Sequence, residues 1–331
     1  MMRLTTMWNV DATIDDEGSS PIAEQILAQW AYDRGSVRFF RSSANFIYRF
    51  RQQDEERFLR FAAASERSRE LIDAEMELAQ ALAAAGVAVA PPLSSKSGST
   101  VETVVTPWGA FHAVVFPALA GQQYECDEMD DSGFRRWGAA LGNVHVAMSA
   151  LASSPDAPAR PTWRDHLAFI RPELPSDSPD LLTEFDDIAA SLAALPASAD
   201  TYGLIHGDFE LDNLVWQSSA VAALDFDDCA YHWYVGDVVF ALRDVLDSGA
   251  GMDDGRCRAF VEGYREQRPL SEDSLSSAPL FFRLTRLLHY ARMARSVDLT
   301  TRSEHPEWLI ELKAKLLQRM ADYRAYIEAH P

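Results

Sequence analysis

Cysteines and long apolar runs are scarce in this sequence of 331 residues. The three cysteines, Cys126, Cys229 and Cys257, lie far apart and form no CxxC pair, so neither a disulfide framework nor a zinc knuckle is expected. The most apolar stretch, 81–90, is too short to span a bilayer, and the first residues lack the basic start and apolar run of a signal peptide. We therefore expect a cytoplasmic protein without a membrane partner.

Basic residues are also few relative to acidic ones. Lys and Arg number 30 and Asp and Glu number 50, which gives a formal net charge of −20. Because nucleic acid repels a polyanion, no nucleic-acid partner is expected, whereas a cationic small molecule would be attracted. The alternative is that the acidic residues only keep the surface solvated. Hydrophobic residues make up 47% of the chain and aromatic residues 11%, which excludes a chain that is disordered throughout.

The first third of the chain has the pattern of a small sheet with one helix. Five runs rich in aromatic and β-branched residues predict strands at 37–41, 45–51, 57–62, 100–106 and 111–116. Between the third and fourth runs, residues 65–85 predict a helix that ends at Gly86. A shorter N-terminal helix is predicted at 22–32. The order β-β-β-α-β-β is typical of an antiparallel sheet that carries one helix.

After Pro117 the pattern becomes mainly helical, with one β-like segment at 203–227. Helical spacing predicts helices at 130–151, 163–170, 181–195, 235–246, 274–295 and 307–328. This change of pattern, in a chain as long as about two domains, predicts an α+β fold with two lobes. We expect a sheet-containing lobe at 1–116, a hinge at 117–124 and a larger helical lobe at 125–331.

The segment 206–213, His-Gly-Asp-Phe-Glu-Leu-Asp-Asn, carries the clearest chemical signal, and an apolar run then leads to Asp225. Phosphoryl transfer needs metal to neutralise the phosphates and a carboxylate to orient the attacking hydroxyl. The spacing matches the H-x-D-x-x-x-x-N loop and following metal-binding Asp of protein kinases. In this interpretation Asp208 accepts the hydroxyl proton, and Asn213 and Asp225 hold Mg²⁺. The alternative is turn chemistry, since Gly, Asp and Asn all favour loops.

The run HGDFELDN followed by LDFDDC resembles the aminoglycoside phosphotransferase family, which includes choline and homoserine kinase-like enzymes. The resemblance extends over most of residues 35–250 through the segments 45–49, 141–145 and 236–239. It implies a bilobal protein-kinase-like fold and an ATP- and Mg²⁺-dependent kinase that phosphorylates a hydroxyl of a small molecule. It also implies that Asp208 is the base, that Asn213 and Asp225 are the metal ligands, and that His206 braces the loop. The acceptor would be an aminoglycoside, an amino alcohol or a homoserine-like metabolite, bound between the catalytic loop and the C-terminal helices.

One departure from the family pattern lies on the third predicted strand. Arg60 stands where the family often has a Lys that is paired with a helix Glu. An Arg still grips phosphates through two nitrogens and a permanent charge. Its partner would be Glu75 in the helix at 65–85, with Glu77 as the second choice because the helix register is not fixed. The alternative is that Arg60 is a surface charge on a strand.

A second departure lies in the loop at 41–45, which would cover the phosphates but has no glycine. Backbone groups or the hydroxyls of Ser42 and Ser43 would then contact the nucleotide.

The segment that joins the lobes would present Phe116, Ala118 and Leu119 to the adenine. Because Pro117 has no N–H, the hydrogen-bond donor to adenine would be Ala118 or Leu119.

Other functions remain open at this point. The glycine-free loop and Arg60 also fit a non-catalytic nucleotide-binding pseudokinase, and the same fold supports Ser/Thr protein kinases. The run at 225–227 resembles the D-x-D nucleophile of haloacid-dehalogenase-like phosphatases. In that family, however, the D-x-D strand precedes the acidic motif, and here the order is reversed. Neither the oligomeric state nor the choice between ATP and GTP follows from the sequence.

Overall fold

The computed structural model describes residues 1–153, 157, 159–218, 220–300 and 305–329. Its first part contains the strands β1 (Arg38–Ser42), β2 (Phe46–Gln52), β3 (Glu55–Ala63), β4 (Glu102–Thr106) and β5 (Gly109–Pro117). They form one antiparallel sheet in the order β1-β2-β3-β5-β4, which places β3 at the centre. Each predicted strand overlaps one of these five, so the predicted antiparallel sheet is confirmed.

Most of the other elements are helices, the larger part of them after β5, and together with the sheet they confirm the predicted α+β fold class. The α-helices of the described residues are α1 (Leu4–Asp11), α2 (Pro21–Leu27), α3 (Arg69–Ala84), α4 (Asp131–Ala152), α5 (Trp163–Glu173), α6 (Pro179–Ala194), α7 (Tyr234–Ala241), α8 (Arg243–Asp247), α9 (Gly255–Gln267), α10 (Glu272–Leu275), α11 (Ala278–Ser296) and α12 (Glu307–Ala329). Two two-stranded ribbons follow α6: β6 (Tyr202–Ile205) pairs with β9 (Ala230–Trp233), and β7 (Leu214–Trp216) pairs with β8 (Val221–Ala223). No helix within the described ranges has both the length and the apolar character needed to cross a bilayer.

The hairpin between β2 and β3 fixes the register of the central strand. Its two turn residues, Gln53 and Asp54, both have positive φ angles, 53° and 65°, as a two-residue type I′ turn requires. The carboxylate of Asp33 accepts their backbone N–H groups at 3.3 and 3.4 Å. The resulting register pairs Arg60 of β3 with Ile47 of β2, so Arg60 lies in the middle of the sheet.

Helix α3 packs against this sheet and supplies an acidic side chain to it. The hydroxyl of Ser68 accepts the N–H of Leu71 at 3.4 Å and caps the helix, which therefore begins four residues after its predicted start. The helix ends before Gly86, whose φ of 83° is the left-handed conformation typical of helix C-termini. Glu75 lies on the buried face and is 2% exposed.

Helices α4 and α9 cross at close range because glycine occupies the contact points. A Cβ added to Gly138 of α4 would lie 1.8 Å from the carbonyl oxygen of Phe260. A Cβ added to Gly263 of α9 would lie 1.8 Å from the carbonyl oxygen of Arg135. The two backbones therefore touch, which holds α4 and α9 in a fixed relative position.

The structure also differs from the sequence-based prediction in several elements. Helices α1 and α9 and strand β9 were missed, and the helix predicted at 235–246 is divided into α7 and α8 at Leu242. Helix α1 and the residues before it contact both the sheet region and the C-terminal helices, since the N–H of Met2 donates to Ser43 and the hydroxyl of Thr5 donates to Asp298. The lobe boundaries around 117–124 stay a prediction.

The α4–α9 contact predicts that Gly263→Ala destabilises the protein, because the added methyl has no room against the Arg135 carbonyl. We expect a loss of about 1–3 kcal/mol in the free energy of unfolding, which is typical of overpacking. Gly255→Ala is the matched control in the same helix, since no atom lies within 4 Å of its added Cβ. Chemical unfolding of both variants measures the difference. Equal stability of the two variants would contradict the close contact.

Candidate active site

The loop after β6 brings together the predicted base and a predicted metal ligand. The side-chain amide of Asn213 donates to Oδ2 of Asp208 at 2.8 Å and to the backbone carbonyl of Asp208 at 3.0 Å. The backbone N–H of Leu224, which follows β8, donates to the carbonyl of Asn213 at 2.9 Å. This bond ties the loop to the segment that carries Asp225. The three side chains predicted from the motif are therefore neighbours in the fold.

Gly207 has two structural reasons to be a glycine. Its φ is 83°, a left-handed conformation that side chains disfavour. A Cβ at this position would lie 2.3 Å from the backbone carbonyl oxygen of Asp228. The loop therefore runs directly against the segment that follows Asp225, and no larger residue fits here.

A buried carboxylate on α7 holds the loop from behind. Oδ2 of Asp237 accepts the N–H of His206 and Oδ1 accepts the N–H of Gly207, each at 2.8 Å. Nε2 of His145 in α4 lies 2.8 Å from Oδ2 of Asp237, and its Nδ1 lies 2.8 Å from the hydroxyl of Tyr264 in α9. Burial alone would raise the pKa of Asp237, but the hydrogen bond and charge of His145 hold it below its usual range. Asp237 thus braces the catalytic loop.

His206 is buried inside the same loop. Its Nε2 lies 3.1 Å from the carbonyl oxygen of Leu224, and its Nδ1 accepts the N–H of Asp208 at 3.3 Å. Burial lowers the pKa of His206, so the ring stays neutral at pH 7. These contacts agree with a bracing role rather than with proton transfer.

Asp225 adopts a backbone conformation that is rare for a side-chain-bearing residue, with φ of 57°. This conformation is retained only where the surroundings enforce it, and such residues often lie at functional sites. Burial is the main cause that raises the pKa of Asp225, and burial together with the carboxylate of Asp228 raises the pKa of Asp208 to about 7. Closely spaced buried carboxylates leave an excess of negative charge that a cation would offset.

The donor atoms at this point fit a hard divalent cation. Oδ1 of Asn213 and Oδ2 of Asp225 make no hydrogen bond to the described part of the chain, which leaves them free to bind an ion. Both residues line a cavity of about 550 Å³, which we call the nucleotide cavity. Amide and carboxylate oxygens are the ligands that Mg²⁺ prefers.

Arg60 links the sheet, α3 and the metal-ligand segment. Its guanidinium binds both carboxylate oxygens of Glu75, at 2.8 and 2.6 Å, and Oδ1 of Asp225 at 2.8 Å. Glu75 is therefore the partner, and Glu77 is not. Burial would lower the pKa of Arg60, but Glu75 and then Asp225 raise it above its usual range. Burial raises the pKa of Glu75 to about 7 although the charge of Arg60 opposes this. Arg60 also lies 5.3 Å from the ring centre of Phe116.

The nucleotide cavity has an apolar wall and a polar floor, as expected for a site that binds a base and its phosphates. Phe40, Phe58 and Phe116 line the apolar part, and Arg60 lines the polar part. The N–H of Ala118 donates to the carbonyl of Glu56 at 3.2 Å. Ala118 is therefore already bonded within the chain, and Leu119, which lines the cavity, is the better placed donor to adenine.

The glycine-free loop is arranged differently from expectation. Ser42 and Ser43 do not line the nucleotide cavity, whereas Arg41 does. The hydroxyl of Ser42 donates to Asp11 at 3.3 Å, and the carbonyl of Ser43 accepts the N–H of Met2 at 3.0 Å. The hydroxyl of Ser42 is thus directed toward α1, whereas the side chain of Ser43 is exposed. Their contact with the nucleotide stays a prediction.

Sequence reasoning missed the arginines that surround the catalytic loop. Arg41 pairs with Asp212 at 3.1 Å, Arg243 pairs with Glu210, and Arg292 pairs with Asp228 at 2.9 Å. Burial and then the charge of Asp208 raise the pKa of Glu210 to about 9. Each arginine lies on a helix or strand that is distant in sequence from its acidic partner, so no local sequence spacing predicts these pairs.

Comparisons with known proteins agree with this geometry. The model of the phosphotransferase enzyme family matches residues 36–270. The amicoumacin kinase of Bacillus subtilis is 29% identical over 300 residues, which cover 87% of this chain and 89% of that protein. The homoserine kinase of Gluconacetobacter diazotrophicus is 29% identical over 204 residues, which cover 56% of this chain and 62% of that protein. The structure of the amicoumacin kinase hAmiN in complex with AMP-PNP, Ca²⁺ and Ami superposes with a TM-score of 0.79 at 25% identity, covering 96% of this chain and 95% of the other.

The close approach at Gly207 predicts that Gly207→Ala impairs turnover. The added methyl must displace either the loop or the Asp228 carbonyl, which moves the catalytic side chains apart. We expect kcat to fall by about 100-fold, since small displacements of reacting groups have effects of this size. Gly98→Ala is the matched control, because Gly98 has a φ of 89° but no atom within 4 Å of an added Cβ. Steady-state ADP release by both variants separates the clash from backbone strain, and equal kcat values would disprove the prediction.

Proposed function

Since the chain belongs to the phosphotransferase enzyme family, we propose that it transfers the γ-phosphate of ATP to a hydroxyl of a small molecule. Asp208 acts as the base, and Asn213 and Asp225 hold Mg²⁺. The observation that supports this most directly is the contact between Asp208 and Asn213, with Asp225 tied to the same loop. In this proposal the carboxylate of Asp208 would accept the proton, and the neighbouring oxygens of Asn213 and Asp225 would bind the cation.

Residues of the chain itself would position the phosphates and the adenine of ATP. Arg60, held by Glu75, directs its positive charge into the nucleotide cavity, where it would bind the phosphates of ATP. Leu119 offers its N–H to the adenine, Phe116 packs against the base, and Ser42, Ser43 and Ala118 take at most an indirect part. When bound, Mg²⁺ neutralises charge on the phosphates. The AMP-PNP and Ca²⁺ in the structure of hAmiN support a nucleotide and a divalent cation here.

The acceptor hydroxyl must reach Asp208 from the side opposite the nucleotide. A second cavity of about 310 Å³ lies between the segment after Asp225 and helices α5 and α11. We call it the acceptor cavity. It is lined by Asp228 and Arg292, two of the groups whose charges act on Asp208. Asp208 would accept the proton of a hydroxyl that is bound in this cavity and so direct the oxygen to the γ-phosphorus.

The acceptor itself is proposed to be a small molecule that carries an amine. The relatives named as an amicoumacin kinase and a homoserine kinase support a small-molecule acceptor. The lobe assignment, with a hinge at 117–124, belongs to this proposal, and it is supported by the nucleotide cavity, which is lined by residues from before, within and after that segment.

The assignment of the base predicts that Asp208→Asn abolishes phosphate transfer while nucleotide binding persists. The amide retains an oxygen that accepts the bond from Asn213 but cannot take up a proton. We expect kcat to fall by at least about 100-fold, the usual contribution of a general base. A coupled ADP-release screen against hydroxyl-bearing amines, amino acids and aminoglycosides measures turnover, and calorimetry with AMP-PNP measures binding. Asp200→Asn, an exposed position before β6, is the control.

Normal turnover by Asp208→Asn would contradict the assignment of the base. Binding of the nucleotide without turnover of any acceptor by the unaltered protein would instead favour a pseudokinase.

The assignment of the metal ligands predicts a change in the Mg²⁺ dependence. Asn213→Ala removes one neutral oxygen ligand and Asp225→Asn removes one negative charge, so each variant should need a higher Mg²⁺ concentration. We expect the Mg²⁺ concentration for half-maximal activity to rise by about tenfold or more, the scale on which lost ligand contacts weaken metal sites. A titration of activity with Mg²⁺ at saturating ATP provides the measurement. An unchanged midpoint for both variants would remove the ligand role.

A further inference from the structure

The carboxylates of the acceptor cavity are already paired within the chain. Asp227 pairs with Arg67, and Asp228 pairs with Arg292 at 2.9 Å. They therefore carry little uncompensated negative charge toward a ligand.

The two remaining carboxylates of this cavity are engaged as well. Asp165 accepts both the backbone N–H and the hydroxyl of Thr162, each at 2.7 Å, as the capping group of α5. Oε2 of Glu66 accepts the backbone N–H of Arg3 at 3.1 Å, whereas its buried Oε1 has no hydrogen-bond partner among the described residues. Among the described residues that line the cavity, each acidic side chain thus has a donor from the protein.

Of the four arginines that line the cavity, Arg67 and Arg292 pair with its carboxylates, whereas Arg160 and Arg295 have no carboxylate partner among the described residues. Arg160 donates to the carbonyl oxygens of four residues, Leu71, Phe226, Asp227 and Cys229, at 2.8, 3.1, 2.5 and 3.0 Å. Arg295 lies over the ring of Phe169, 5.6 Å from its centre, and no carboxylate of the described ranges is within salt-bridge distance of it. Arg295 is half-buried and lines the cavity without a counter-ion.

The position of Arg295 on α11 indicates which end of an acceptor it could bind. Leu288, Arg292 and Arg295 are spaced four and three residues apart on α11, so they line the cavity from one face of the helix. Arg292 is held against Asp228 near Asp208, and Arg295 lies about 4.5 Å further along the helix axis. A group bound by Arg295 would therefore belong to the end of a short acceptor away from its reacting hydroxyl.

We infer that the acceptor carries a carboxylate that binds the guanidinium of Arg295. This inference rests on the proposed function and narrows its substrate class to a small hydroxy amino acid. A half-buried cation without a counter-ion is satisfied best by an anionic ligand group, and the planar carboxylate matches the fork of a guanidinium. The cavity of about 310 Å³ has the volume of roughly ten water molecules, which suits a compound of that many heavy atoms.

Three pairs of compounds test the inference, because the members of each pair differ only in the carboxylate. They are serine and ethanolamine, threonine and 1-aminopropan-2-ol, and homoserine and 3-aminopropan-1-ol. ADP release with Mg²⁺-ATP gives kcat/KM for each compound. We expect the carboxylated member of at least one pair to be preferred by about 10- to 100-fold, the value of a hydrogen bond to a charged group.

Variants assign this preference to Arg295. Arg295→Gln should abolish the preference through a higher KM for the carboxylated member, and Arg295→Lys should restore part of it. Arg164→Gln is the matched control, because Arg164 also stacks on an aromatic ring, Trp163, at 4.1 Å but does not line the cavity. It should keep the preference of the unaltered protein.

Each other outcome overturns the inference. Equal or better turnover of the carboxylate-free members, or an unchanged preference in Arg295→Gln, would show that Arg295 does not bind a carboxylate. Failure of all six compounds also overturns it, but the proposed function fails only if the wider hydroxyl screen against the unaltered protein releases no ADP. The two failures are therefore distinguishable.

Discussion

The site depends on one buried carboxylate, that of Asp237. It accepts two backbone N–H groups of the catalytic loop and contacts His145, whose other nitrogen meets Tyr264. A charge in the interior is stable only when donors surround it, so removing any of these donors would leave an unsatisfied carboxylate. The close crossing of α4 and α9 keeps His145 and Tyr264 at this distance. The position of the loop that carries Asp208 is thus determined by the packing of helices behind it.

A second constraint connects the sheet to the proposed metal ligands. The guanidinium of Arg60 has enough donors to bind both oxygens of Glu75 and one of Asp225 simultaneously, which the single ammonium of a lysine does less well. Three buried charges of which two are negative still leave a net negative charge. Burial is the main cause that raises the pKa values of Glu75 and Asp225, the charge of Arg60 opposes it, and a bound divalent cation would offset the remaining negative charge. Arg60 thus connects β3 to α3 and to the segment that carries Asp225.

The sequence predicted those parts of the site that depend on local spacing. Asp208 and Asn213 share one loop, and Glu75 lies on a helix of clear periodicity, so their neighbours followed from the pattern. Arg295 and Arg292 could be recognised only once α11 was placed beside α5, because their partners are distant in sequence. Helix α9 was missed although positions 257, 260, 261 and 264 carry helical spacing. The hydroxyl of Ser42 donates to Asp11 of α1, an element that the sequence had not revealed, so this contact could not be predicted.

The overall charge of the protein and the charge of the acceptor cavity act at different ranges. A net charge of −20 sets the long-range field that a diffusing molecule meets, but salt screens it beyond about 8 Å at physiological ionic strength. Inside the cavity Asp227 and Asp228 pair with arginines, Asp165 and Glu66 accept uncharged donors, and the guanidinium of Arg295 has no carboxylate partner among the described residues. Composition alone therefore favours a cationic ligand, whereas the local pairing favours one that also presents an anion. Selection takes place at contact, so the local arrangement decides which acceptor is bound.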